Sequence, residues 1–115
     1  MKHSVGISLP AATTTTVFTV PNGYVAEVDM LFISNHSGNN KTVSAYWQHA
    51  HDAEHQIYII DGYPLAAKGF VQFSDGSVVF QQGDSLKVTP ETGSDMSVIV
   101  TFDLRKEAQI LTFND

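Results

Sequence analysis

The chain reads as an all-β domain, a two-sheet antiparallel sandwich of about eight strands. Three features of the sequence predict it. Short runs rich in β-branched and aromatic residues recur along the whole length, Gly, Pro, Asn and Asp punctuate them, and no run places apolar residues at helical spacing. With 115 residues there is room for one core, and a hydrophobic content of 43% is enough to fill it.

The segments follow in order. Ser4 to Leu9 is closed by Pro10, and Thr13 to Val20 carries β-branched residues that suit a pleated surface and disfavour helix. Pro21-Asn22-Gly23 is a turn, because Pro presets a negative φ and Asn-Gly accepts a positive one. Tyr24 to Ser34 is the longest segment, expected to set Val28, Met30 and Phe32 on one face against Glu27, Asp29 and Leu31. After a polar loop over 35–40, Thr42 to His49 places Val43, Ala45 and Trp47 on one face and Thr42, Ser44, Tyr46 and Gln48 on the other.

Gln56 to Asp61 puts Ile57 and Ile59 on a common face and is expected to break at Gly62-Tyr63-Pro64. Gly69 to Phe73 comes next, then Ser77 to Phe80 after Asp75-Gly76, then Ser85 to Thr89 after Gln82-Gly83-Asp84. Met96, Val98, Val100, Phe102 and Leu104 then alternate with Ser97, Ile99, Thr101, Asp103 and Arg105, the clearest strand in the chain. Residues 1–105 are therefore expected to form the sandwich, and 106–115 a C-terminal arm or extra strand of the same domain. Ile110, Leu111 and Phe113 are too apolar to be left bare, so the arm is expected to dock on a neighbour.

Charge narrows the functional classes. Six Lys and Arg against twelve Asp and Glu give a net charge of −6, which repels phosphate and argues against direct nucleic-acid binding. The chain has no cysteine, hence neither disulfide nor thiolate metal site, and stability must come from packing or from partner subunits. No run approaches the roughly 20 apolar residues of a membrane span. The first residues lack a signal-peptide core, so a soluble protein made in the cytoplasm of the producing cell is expected.

One cluster has the residue types for chemistry. His49 and His51 lie two apart, on the same side of an extended chain, with Glu54 and His55 close behind. Such a pair can chelate a metal, as in cupins, but Glu54 stands at the wrong offset and no histidine follows Phe70 to complete the set. A surface or subunit-contact hairpin is the reading taken, with no metal and no cofactor. A nucleophile elbow is absent, and Glu27 and Asp29 read as solvated strand-face charges, so an enzyme is not expected. Asn35-His36-Ser37 fits the glycosylation pattern without secretory context and reads as loop chemistry. Tyr46, Trp47, Tyr58, Tyr63 and Phe70 crowd the middle third. They suit a subunit interface or a shallow carbohydrate platform, and an interior role for Trp47 and Phe70 fits the same pattern.

Val-Phe-Thr-Val-Pro-Asn-Gly-Tyr at 17–24, Leu-Phe-Ile-Ser-Asn at 31–35 and Phe-Gln-Gln-Gly-Asp-Ser-Leu-Lys-Val at 80–88 carry a resemblance covering residues 13–105. The chain resembles small virion proteins of tailed bacteriophages, and the Gly-Asp-x-Leu signal also recurs in jelly-roll modules. The resemblance implies a jelly-roll-like sandwich that assembles as a homo-oligomer, commonly a trimer, on major capsid or tail proteins. Its expected role is structural: capsid decoration (cement), or a small tail or neck component of the virion. The alternative is a receptor- or carbohydrate-binding module using Trp47 and neighbouring tyrosines. The expected contact residues are Tyr46, Trp47, Tyr58, Tyr63, Ile110, Leu111 and Phe113. The His-rich turn and the apolar tail lie outside the shared pattern.

Overall fold

A computed structural model describes residues 1–50, 56–74 and 78–106. Among them are nine strands and no helix: β1 (Lys2–Leu9), β2 (Thr15–Thr19), β3 (Tyr24–Asn35), β4 (Lys41–Gln48), β5 (Gln56–Leu65), β6 (Phe70–Phe73), β7 (Val78–Phe80), β8 (Ser85–Pro90) and β9 (Met96–Lys106). The pairing is nested. β1 pairs with β9, β2 with β8, β3 with β6 and β7 in succession, and β4 with β5, all antiparallel. The chain is in effect one long hairpin rolled on itself. Two further pairings, β3 with β9 and β4 with β8, close it into two sheets, ordered β1-β9-β3-β6 with β7 also on β3, and β2-β8-β4-β5. With β6 and β7 counted as one interrupted strand, this is an eight-stranded jelly roll.

The core lies between the sheets. Val98, Val100 and Phe102 of β9 face Leu86 and Val88 of β8 and Val43 and Ala45 of β4, and Ile33 and Phe80 fill the middle. Each large apolar side chain buried in this way contributes roughly 1.5–3 kcal/mol.

Two strands depart from simple alternation. In β3 the register with β9 slips between Val28 and Met30, leaving Asp29 as the extra residue of a bulge. The slip turns the strand over. Val28 packs on the core before it and Leu31, Ile33 and Asn35 are buried after it, so the face expected from Val28, Met30 and Phe32 is split, with Phe32 outward. Asp29 instead holds the Lys2 ammonium at 2.6 Å, which keeps the Lys2 pKa above the ordinary lysine value.

β5 does not break at Gly62-Tyr63-Pro64 but runs on to Leu65. Irregularities in its register with β4 absorb the extra residues, Gly62 takes a φ of 62°, and its N–H donates to Ser44 Oγ at 2.8 Å. Pro64 is tolerated because β5 is the last strand of its sheet, where a missing N–H disrupts no ladder on the open side.

Leu86→Ala should cost about 2–5 kcal/mol, because it removes a buried side chain from between the sheets. Ile99→Ala, on the outer face of β9, should change stability by no more than about 0.5 kcal/mol. Urea denaturation of the two variants checks the contrast.

Candidate functional site

The sequence signals that carried the resemblance prove to be structural joints. Asp84, in the Gly-Asp turn between β7 and β8, is only 2% exposed. Its carboxylate accepts the Trp47 Nε1–H at 3.0 Å, the Ala50 N–H at 2.9 Å and the Gln81 N–H at 2.9 Å. One side chain thus ties the turn to the end of β4. Gly83 before it has a φ of 84°, and a Cβ there would lie 2.7 Å from Ala50 Cβ, so conformation and space both demand glycine.

Asn35 does the same at the opposite end. It is buried, its amide donates to the carbonyls of Asn39, Leu65 and Ala66, and its Oδ1 accepts from Ser37 N–H and Oγ–H. That side chain is fully engaged and offers no acceptor for a glycan.

Trp47 is half-buried against the core. Its ring lies 5.2 Å from Phe80 and 4.4 Å from His49 between centroids, and its N–H is spent on Asp84. The indole N–H is therefore engaged within the fold, while part of the ring stays at the surface. Tyr46 also departs from the expected contact surface. It is outside the core cluster yet only 8% exposed, because Tyr58 of β5 leans on it with ring centroids 5.3 Å apart. Tyr46 is the floor of a surface and Tyr58 its exposed part.

That surface belongs to the edge of the sandwich formed by β5, β6 and β7. On β5, Ile57, Tyr58, Ile59 and Tyr63 are 46%, 49%, 37% and 38% exposed. Across the opening, Phe70 of β6 is 63% exposed, and Val78 and Val79 of β7 are also in solvent. Tyr63 meets Phe73 edge-on at 6.0 Å and joins the two sheet margins at one point. Between Ile59 and Val78 lies a cleft of about 250 Å³, with Met30 and Phe73 along its walls and Phe80 and Leu86 at its base. Phe70 also stacks on Phe32 at 5.2 Å, and Ile99 lies opposite Phe32 on β9, which extends apolar surface onto the outer face of the first sheet.

Tyr58 and Tyr63 of the expected contact residues lie on this edge, and Ile57, Ile59, Val78 and Val79 are further members that sequence reading missed. The alternation of the sequence places Ile57 and Ile59 on a common face of a strand. What the sequence does not display is that, among the described residues, this strand ends its sheet. Ile110, Leu111, Phe113, His51 and His55 lie outside the described residues. His49 is placed beside Trp47, and among the described residues no group of three or more His, Cys, Asp or Glu is placed to hold a metal ion.

No family model matches the chain, and no curated protein matches it. Among solved structures it is similar to a chain from work described as "Bacillus endospore appendages form a novel family of disulfide-linked pili". The match has a TM-score of 0.54 at 11% identity and covers 92% of this chain and 87% of that one. Likeness at that identity concerns the fold.

Asp84→Ala leaves the Trp47, Ala50 and Gln81 N–H groups without their acceptor; Ala50 and Gln81 are exposed, so the main loss is at the half-buried Trp47, about 1–3 kcal/mol for an unsatisfied buried donor. Because Trp47 is the single tryptophan, its fluorescence reports directly on this joint. The variant should unfold at lower denaturant and emit at longer wavelength than the parent protein in the absence of denaturant.

Proposed function

We propose that this chain is a structural subunit that works by assembling with copies of itself and with other proteins of a larger particle. The observation that carries the reading is the apolar edge: three consecutive exposed side chains, Ile57, Tyr58 and Ile59, on a strand at a sheet margin. Monomeric proteins guard such margins, because unpaired backbone and exposed apolar groups together invite another chain. Binding to an assembled lattice, and not to its separated parts, stabilises the lattice by mass action.

The particle we favour is the virion of a tailed bacteriophage, with the chain as capsid decoration (cement) or as a small tail or neck component in contact with major capsid or tail proteins. Support comes from the turn and strand signals at 17–24, 31–35 and 80–88, whose Asn35 and Asp84 now have defined roles as joints. A homo-oligomer, commonly three-fold in the proteins resembled, goes with it. The pilus protein of similar fold adds that a sandwich of this shape can serve a polymer. Those pili are described as disulfide-linked, whereas this chain has no cysteine, so its contacts have to hold without that bond.

Two measurements test the reading. In sedimentation velocity the mass of the purified protein should rise above the 12.6 kDa of one chain as concentration increases. An antibody to the chain should label tailed particles sedimented from producing cells. A protein that stays monomeric at every concentration and never sediments with particles contradicts the proposal.

A further inference from the structure

We infer that Asn22 is a modification site: its side-chain amide is open to spontaneous deamidation through attack by the Gly23 nitrogen, and the Gln82 side chain from the neighbouring turn holds that reaction back.

The chemistry starts from the sequence. Of the asparagines at 22, 35, 39, 40 and 114, Asn22 alone is followed by glycine. When the backbone nitrogen of the next residue gives up its proton and attacks the asparagine Cγ, a succinimide ring closes and the side-chain nitrogen departs as ammonia. Water then opens the ring at either carbonyl and leaves aspartate or isoaspartate, with no oxidant or other reactant required. Glycine favours the attack because no Cβ crowds the approach. Around Gly23 an added Cβ would meet nothing within 4 Å, and Asn22 and Gly23 are both exposed.

Two features of the fold oppose the reaction. The Tyr24 N–H donates to the Pro21 carbonyl at 3.2 Å, and Gly23 has a φ of 84° whereas Asn22 has no positive φ, which together define a type II turn. In such a turn the residue at the Asn22 position has a ψ of about +120°. That rotation carries the Gly23 nitrogen away from the Asn22 side chain, so the ring closes only when the turn opens. The second feature is a hydrogen bond. The Gly23 N–H, whose proton the attack must lose, donates to Gln82 Oε1 at 2.8 Å. Gln82 is held in place by its own turn, because the Val20 N–H donates to the Asp84 carbonyl at 3.0 Å and the Gly83 N–H to the Val20 carbonyl at 2.9 Å.

The products differ from the parent in charge and in backbone. One amide becomes one carboxylate, so a net charge of −6 becomes −7. Isoaspartate also routes the main chain through the former side chain, lengthening a turn that carries the chain from β2 in one sheet to β3 in the other.

The full-length parent, Gln82→Ala and Gln82→Glu, held at near-neutral pH and physiological temperature, report the rates by peptide mass spectrometry at each asparagine. One net hydrogen bond corresponds to a rate factor of about two to ten, so Gln82→Ala should deamidate at Asn22 faster than the parent by that factor, with Asn39 and Asn40 unchanged. Gln82→Glu keeps an acceptor oxygen and should be no faster than the parent. In urea, where the turn and the hydrogen bond are both lost, parent and Gln82→Ala should convert Asn22 at one common rate above their folded rates.

An Asn22 that stays intact in urea overturns the site. Equal folded rates in the parent and Gln82→Ala overturn the protective role of Gln82. So does a Gln82→Ala protein in which Asn22, Asn39 and Asn40 all accelerate together, because that pattern marks a loss of global stability.

Discussion

Everything in this fold depends on side chains from two sheets meeting at every second position of strands that were paired as one rolled hairpin. Phe80, Leu86, Val88, Val98, Val100 and Ile33 come from β3, β7, β8 and β9, and none can be buried until strands far apart in sequence lie side by side. The burial of these groups stabilises the sandwich, and it is also the reason its ends need fixing. A jelly roll closes each end with turns, and here two buried polar side chains do so: Asp84 between the β7–β8 turn and Ala50, and Asn35 among the carbonyls near Leu65. Each polar group is inside because its hydrogen bonds are satisfied there.

Much of this was legible in the sequence where pattern and pairing agree. β9 follows strict alternation, and Met96, Val98, Val100 and Phe102 are buried as that alternation requires. Turn residues were equally informative, since Gly23, Gly83 and Gly93 all have positive φ at places where a strand had to stop. What the sequence hid were the bulges. One extra residue at Asp29 reverses which side chains face inward, and nothing in a run of apolar residues marks where such a slip will fall. The same reason explains β5, where Gly62 and Pro64 looked like a stop and are a distortion in an edge strand.

The aromatic cluster shows a second limit. Tyr46 and Trp47 are adjacent in sequence and were both expected at a contact surface, yet Trp47 packs on Phe80 and Tyr46 lies beneath Tyr58. Their neighbours decide exposure, and those neighbours come from β5 and β7. Exposed apolar surface is accordingly a property of strand order. Ile57, Ile59, Val78 and Val79 stay exposed because, among the described residues, β5 and β7 lie at sheet margins.

The proposed function draws on what the core leaves over, the apolar side chains exposed along β5 at the margin of its sheet. Amide hydrogen exchange across β5, followed as protein concentration is raised, tests this most directly. The amides at positions 57–60 should slow toward the rates of β9 as copies associate. Rapid exchange at those positions at every concentration, in a protein that has nevertheless assembled, would contradict it.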